Sequence, residues 1–567
     1  MPLSASSVLR SIGLTTIAGS LLLGSPDAWA QQPQRPAAPP VREGEVDNQE
    51  ITIEKSRRIE LPPANRLFNK IPSVKPSTEQ KKLTYEFTDR TLPVGDPRVS
   101  PVALPIQTGG ADQQPQFNNF VKIGAGNYGT FYGEAFGSTQ VQDNFLVNGS
   151  FRHLSSALGP VDGKNSAISE NKLKLAGSYQ ANAFKVSADL LFNRDQFYFY
   201  GYRRPQEINR DDIRQRLTTG QFRLGIENVD PTNNIDYSLK TGLTTLRDYY
   251  GSNELDWGTN FTGSVGITDQ IVALVGADAF VTKRTSSFVD NRNLFRVKPT
   301  FKYKTSFLTL TAGVNAVNQS DQRLNINQTK AFPVVDVDVV PAGNIHVFAG
   351  VDGDIVRNTL RTFLSENRWL AQDVVLKNTE KTLDIYGGTK GDLGGGFSYE
   401  GKISYARYRN FYGFNNTWPD TSKFFVVYDS GRSNVLTVSG QIGYTYKEIF
   451  RSTLRADFYD YKLTWIEAAW SRPKVTGSWS NSFIVDKKLF ITADLYHYQG
   501  IQAKNFVTGQ VFTLQPIWDV NLKIDYFLGK QVSAFVSLNN ILGRNYQRYL
   551  YYPQQGLNFL GGLSYSF

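Results

Sequence analysis

Leu557-Asn558-Phe559-Leu560-Gly561-Gly562-Leu563-Ser564-Tyr565-Ser566-Phe567 ends the sequence. Leu557, Phe559, Leu563, Tyr565 and Phe567 take odd positions, while Asn558, Gly562, Ser564 and Ser566 take even ones. Successive side chains of a strand point to opposite faces, so this segment is a strand with one apolar and one polar face. The same period recurs upstream. Val520, Leu522, Ile524 and Tyr526 oppose Asp519, Asn521, Lys523 and Asp525, and Ile235, Tyr237, Leu239 and Leu243 oppose Asp236, Ser238 and Lys240. Leu173, Leu175 and Tyr179 oppose Lys172, Lys174 and Ser178. From Phe117 to Phe567 the texture is therefore all-β, punctuated by Gly, Asn and Asp.

Two architectures bury such faces. In a soluble sandwich the apolar faces meet in a core, whereas in a membrane barrel they face lipid and the polar faces line the lumen. The connections favour the barrel, because short and long ones alternate. Short turns are expected at Ala181-Asn182, Thr268-Asp269, Lys304-Thr305, Gly394 to Gly396 and Gly529 to Gln531. Longer loops are expected near 156–168, 197–211, 283–293, 316–330, 355–380, 410–432 and 500–515. Asn358 to Ala371 could hold a short helix, and Phe424 to Tyr428 is strand-like within its loop. The strands exceed the usual soluble length of about 5–6 residues and suit a tilted membrane crossing. The expectation is a transmembrane antiparallel up-and-down β-barrel of about 22 strands, an even number that returns both termini to the periplasm. Aromatics supply 13% of residues and crowd strand ends such as Phe197-Tyr198-Phe199-Tyr200, as girdles at the two membrane interfaces would.

The N-terminus points to export. Arg10 precedes the apolar run Ile12 to Leu23, followed by Ala28-Trp29-Ala30 and Gln31. A positive start, a short apolar run and an A-x-A site make residues 1–30 a secretory signal peptide, cleaved between Ala30 and Gln31. Residues 31–116 hold 13 of the 25 prolines. Proline at that density removes ladder donors and breaks helices, so this stretch reads as an extended or partly disordered periplasmic arm.

Composition excludes several functions. There is no cysteine, hence no disulfide scaffold or thiolate metal site. The net charge of +10 is spread among acids, which argues against a nucleic-acid footprint. His153, His346 and His497 lack metal-ligand spacing, and Gly387-Gly388-Thr389-Lys390-Gly391 lacks the order of a phosphate loop. Neither a cofactor nor a catalytic set is expected; a barrel-borne lipase would have to draw on His153 or His497 and a strand serine. Asn148-Gly149-Ser150 and Asn260-Phe261-Thr262 match a glycosylation pattern but fall inside expected strands.

The terminal strand, with Phe559, Leu563, Tyr565 and Phe567 on one face, resembles the C-terminal assembly signal of outer-membrane proteins, suited to augmentation by the barrel-assembly machinery. Leu538-Asn539-Asn540-Ile541, Arg544-Asn545-Tyr546 and Tyr552-Pro553-Gln554-Gln555-Gly556 look like the end of TonB-dependent receptors. Asn358 through Asn367 and Trp369, and Tyr386-Gly387-Gly388 with Lys390-Gly391, are also similar to that group, particularly the shorter receptor-like proteins of Bacteroidota. The resemblance covers roughly 117–567. It implies a Gram-negative outer-membrane location, contact with outer-membrane lipid and a role in uptake. The chain departs from the pattern in two ways: residues 31–116 are too few for the plug such receptors carry, and Gln555 and Leu557 replace an expected proline and arginine. Ile51-Thr52-Ile53 could serve as a TonB box, a short strand added to a sheet edge.

Two functions follow: a transport or uptake pore or receptor component without its own plug, or a non-transporting scaffold subunit of an envelope complex. A lumen of this width needs closing, by folded-in loops, by the arm or by an envelope protein partner. Deleting Phe567 is expected to lower the yield of folded, heat-modifiable protein in the outer-membrane fraction. An unchanged yield would remove the assembly role assigned to that residue.

Overall fold

The computed structural model describes residues 119–142, 144–204, 207–230, 234–416, 419–505 and 508–567. The expected signal peptide with Ala28, Ala30 and Gln31, the Pro-rich arm, and Ile51, Thr52 and Ile53 lie outside the described residues.

Period-two alternation produces what it must. Twenty-two antiparallel strands form one sheet, each paired with its neighbours in sequence, and the first (Phe120–Gly126) pairs with the last (Asn558–Ser566) to close it. The faces are inverted relative to a soluble protein. On the strand Ile517–Phe527, Asp519, Asn521, Lys523 and Asp525 are buried while Trp518 and Tyr526 are 40% and 46% exposed. On Asn558–Ser566 the outward residues include Phe559, Leu563 and Tyr565, with Phe567 continuing the face, and all four are exposed. Apolar side chains thus point out to form the lipid-facing belt, and polar ones point into the lumen.

The connections sort by end. At one rim lie tight turns such as 181–183, 267–270, 305–307, 343–344, 395–396 and 486–488. The described chain starts and finishes there, where Asn119 and Phe567 exchange backbone hydrogen bonds of 3.3 and 3.0 Å. At the other rim lie the long connections 157–167, 199–213, 357–378, 410–432, 463–474, 500–516 and 540–557. A short helix, α1 (Leu360–Glu366), occurs in the third, and Phe424–Asp429 pairs with Phe411–Asn416 as a hairpin inside the fourth.

Two expected loops are corrected. Residues 283–293 and 316–330 are mostly strand: Ile271–Thr285 turns at 286–288 into Val289–Lys304, and Leu308–Asp321 turns at 322–325 into Ile326–Ala342. These strands rise past the apolar belt, so their outward positions become polar (Asn291, Asn318, Asn327, Thr329). Polarity on both faces reads as loop in a sequence although the ladder continues.

The closing seam has a specific construction. The inner face carries Gly124 on the first strand and Gly562 on the last, and the Phe535 ring lies across both. A Cβ at Gly124 would stand 2.7 Å from Phe535 Cζ, and one at Gly562 would stand 2.6 Å from its Cε1 and 2.0 Å from the Ile123 carbonyl oxygen. Only glycine lets the ring sit flat across the junction. Lys122 Nζ lies 4.0 Å above that ring and bonds Asp525 at 3.2 Å, and the Tyr132 ring meets Phe535 edge-on. Ring, cation and carboxylate therefore staple the ends of the sheet from inside. Phe535→Ala is expected to destabilise the barrel by about 3 kcal/mol, the usual cost of deleting a buried aromatic. The check is urea unfolding in lipid vesicles; a change within 0.5 kcal/mol, the scale of a surface substitution, would show that the ring does not hold the seam.

Candidate functional site

Inward-facing side chains at the long-loop rim do not meet water. Phe197 and Tyr198 at the end of one strand, Leu217 and Leu246 on the next two, and loop residues Phe199, Tyr200, Tyr202, Phe363, Trp369, Tyr412, Phe414, Phe424, Tyr549 and Tyr552 form one buried cluster. These residues come from connections all around the rim, so they can meet only by folding inward across the mouth. Their hydrophobic burial makes the loops a packed lid. Trp369 and Tyr552 stack with ring centroids 4.1 Å apart, and Tyr200 meets Tyr552 at 4.6 Å. A Cβ at Gly201 would be 2.4 Å from the Tyr552 ring, so the backbone there must be bare for the ring to enter.

Polar contacts fix the lid to the wall and to itself. Thr359 caps α1 in a capping box with Thr362. From the wall strand Asn253–Gly266, Glu254 accepts the Leu360 and Arg361 amides at 2.6 and 3.1 Å. These are amides that the start of a helix leaves without internal partners. Arg357 pairs with wall residue Asp256, Arg292 donates to the Asn358 carbonyl at 2.6 Å and to Asn378 Oδ1 at 2.7 Å, and Arg284 donates to the Val374 carbonyl at 2.5 Å.

Glu366, at the end of α1, gathers three other loops. Its carboxylate accepts from Tyr412 at 2.7 Å and pairs with Arg472 at 3.4 Å, and its carbonyl accepts from Tyr549 at 2.7 Å. Arg472 also donates to the Tyr412 carbonyl at 2.7 Å. Burial and the Glu366 carboxylate push the Tyr412 hydroxyl well above the usual tyrosine range. For Arg472 burial acts the other way, and Glu366 and Tyr412 outweigh it, so the guanidinium stays protonated. Half-buried, this acid and base stabilise one another as a pair.

Away from the lid and from the closing seam, part of the lumen wall is solvated. Lys185 and Glu227 near the short-turn rim are 38% and 40% exposed and meet at 3.4 Å, and Lys174 and Asp189 meet at 3.8 Å. Such pairs contribute little to stability but keep the surface wet. Beside the lid a small cleft lies between Tyr200, Arg368, Trp369, Asn539, Asn540 and Gln555.

The expected assembly residues Phe559, Leu563, Tyr565 and Phe567 all take the outer face. The three histidines are scattered over the wall. His346 bonds Asp338 at 2.7 Å, His497 stacks on Trp518, and His153 bonds Asn171 and Ser155. Among the described residues no group of three His, Asp or Glu side chains could hold a metal ion. Folded-in loops were one of the closures expected from the sequence, along with the helix and the strand-like Phe424 to Tyr428; which residues build the aromatic core was not legible, although Asn358 to Trp369 and Tyr552 to Gly556, singled out there by resemblance, are parts of it.

No sequence-family model matches this chain, nor does any curated relative. Solved structures do share its architecture. The FrpB iron transporter from Neisseria meningitidis has a TM-score of 0.64 at 11% identity, over 79% of this chain and 81% of that one. The ferric-catecholate import receptor Fiu from Escherichia coli K12 gives 0.60 at 9%, over 80% and 83%. The pyoverdine receptor FpvA from Pseudomonas aeruginosa gives 0.59 at 13%, over 80% and 78%. The fold is thus a closed 22-stranded outer-membrane barrel of the kind built by TonB-dependent siderophore receptors. These neighbours are transporters and receptors.

Glu366→Ala would leave the half-buried Arg472 without its acid and remove the acceptor of the Tyr412 hydroxyl. The lid is expected to loosen while the barrel persists. Limited proteolysis should cut 410–432 and 463–474 at least about tenfold faster, since each 1.4 kcal/mol of opening is a factor of ten. Unchanged cleavage with intact heat-modifiability would show that Glu366 does not join the loops.

Proposed function

We propose that this chain is an uptake-related component of the outer membrane, a barrel whose solute path is shut on the outside by its own loops. The observation that supports it best is the asymmetry of the lumen: a dry, aromatic lid at one rim and solvated charged walls toward the other. Sheer closure of the sheet would be served by any lumen, but a wet wall behind a one-sided lid is what a gated path needs. Short turns and both ends of the described barrel, Asn119 and Phe567, lie at the unlidded rim, which we assign to the periplasm, with the lid facing outward. On this reading the chain lacks a plug of its own, and the Pro-rich residues 31–116 form a periplasmic arm for an envelope partner. The likeness to iron and siderophore receptors supports uptake of a solute of that general size without identifying it.

The scaffold reading draws on the same lid. Its aromatic core is buried, with Glu366 half-buried among Tyr412, Arg472 and Tyr549, and a permanent seal would look like this.

Planar-bilayer conductance separates the two. The complete chain should be nearly silent, a variant lacking 360–376 should conduct, and removing 31–116 as well should raise conductance further. Silence in all three folded proteins would leave the scaffold reading, and co-purification with envelope proteins from mild detergent would then identify what it supports.

A further inference from the structure

On the outer face of the strand Phe145–Ser156, His153 and Ser155 stand two residues apart and so point the same way. The neighbouring strand, Ile168–Gln180, places Asn171 directly opposite His153. Phe151 and Leu173, on the same faces, are exposed, so this is the lipid side of the wall, close to the long-loop rim. His153 Nδ1 lies 2.8 Å from Asn171 Oδ1, and His153 Nε2 lies 3.1 Å from Ser155 Oγ. An amide oxygen can only accept, so Nδ1 carries the ring proton and donates it to Asn171. In the neutral ring of that tautomer Nε2 is the acceptor facing the serine hydroxyl. Nucleophile, base and orienting acceptor are in sequence, within hydrogen-bond reach of one another.

We propose that Ser155, His153 and Asn171 form a hydrolytic triad that cleaves carboxylic-ester bonds of anionic membrane lipids at the outer rim. Ser155 Oγ attacks the ester carbonyl carbon while its proton passes to His153 Nε2. The C–O bond to the leaving alcohol breaks, and the alcohol departs with that proton. Water then gives a proton to His153 and attacks the acyl-serine, which releases the fatty acid and restores the hydroxyl. Asn171 is a positioning residue, holding the productive tautomer without touching the lipid.

The surroundings fit this substrate. The exposed Phe131 ring lies 5.8 Å from the His153 ring, and the exposed Phe151 and Leu173 continue the outer face toward the middle of the membrane, where an acyl chain would rest. Arg194, exposed on the next strand, Phe184–Tyr198, is in register with Asn171, and adjacent strands are only about 4.8 Å apart. Its guanidinium can reach the triad and offer donors to the developing oxyanion. Arg194, Arg216, Arg247 and Lys283 continue around the outer face at this height, a cationic band where phosphate-bearing headgroups sit. This activity shares only the membrane placement with the uptake reading and needs neither lid nor lumen.

The test uses the complete folded chain in mixed micelles of detergent with either phosphatidylglycerol or phosphatidylcholine, measuring fatty-acid release. A fluorophosphonate probe is applied in parallel and its adduct mapped by mass spectrometry. Expected are an adduct on Ser155 and faster release from the anionic lipid. Release should fall by about 100-fold in Ser155→Ala and in His153→Ala, the general-base scale, with heat-modifiability retained. Asn171→Ala should lose most of the rate and shift its pH profile, and Asn171→Asp should restore it, which a merely structural asparagine would not do. No adduct and no release from folded protein, or release unaffected by Ser155→Ala, would overturn the triad. Equal rates on the two lipids would overturn the anionic preference. Bilayer conductance of the lid variants is independent of every one of these results.

Discussion

A bilayer offers no hydrogen bonds to a peptide backbone, so a sheet that crosses it can have no edge. Everything in this chain follows from meeting that demand with twenty-two strands. The last pairing is the demanding one, because it joins the two strands farthest apart in sequence: Phe120 with Ser566 through to Gly126 with Leu560. Glycines on both strands let the backbones and the Phe535 ring approach closely, and Lys122 with Asp525 covers the ring from the lumen side. Outside, Val121 beside Tyr565 and Ile123 beside Leu563 give lipid a continuous apolar surface across the junction.

Closure creates a second problem at the other end of the length scale. Twenty-two strands enclose a lumen too wide for wall side chains to fill. Where the wall is left to water, its charges stay half exposed and loosely paired, as Lys185 and Glu227 show. Where the long loops fold in, wall charges lose their water and must find protein partners instead. Glu254 takes two amides of α1, Arg292 takes the Asn358 carbonyl and Asp321, and Lys381 sits fully buried between Asp352 and Asp384. Beneath the lid, then, buried wall charges such as Glu254 and Arg292 are docking points for the loops, while at the closing seam Lys122 and Asp525 are buried against Phe535 instead. Because a lone buried ion is so costly, those pairings also fix where each loop docks.

Strands could be read from the sequence because a lipid-facing strand writes its orientation in every second residue. Asp519 to Tyr526 and Leu557 to Phe567 each have the two faces that their alternation requires. The signal failed where lipid stopped: at 283–293 and 316–330 outward residues turn polar, both faces look alike, and strands pass for loops. It failed more completely for the lid. Phe197 to Tyr200 looked like a membrane girdle, because an aromatic run carries no record of whether its rings meet headgroups or one another. The cluster of Tyr200, Trp369, Tyr549 and Tyr552 spans more than 350 residues of chain, and only closure of the barrel brings its members together. Ser155 and His153 are close in sequence, but Asn171 reaches them through register, and a one-residue slip would put it on the opposite face.

The two rims also divide the labour between packing and chemistry. Lid side chains spend their hydrogen-bonding groups on one another: Tyr552 donates to the Ser422 carbonyl, Tyr549 to the Glu366 carbonyl and Tyr200 to the Pro553 carbonyl. A surface so satisfied has little left for a ligand unless the loops part, so any solute recognition there must be coupled to opening. Breaking the Glu366 contacts would expose a carboxylate, a guanidinium and two phenols at once, turning the tie that shuts the mouth into a set of polar groups facing the path. An incoming solute that satisfies those groups would offset the cost of opening, and one that cannot would leave the lid shut. Selectivity would then reside in the closing contacts themselves, which a permanently sealed scaffold has no use for.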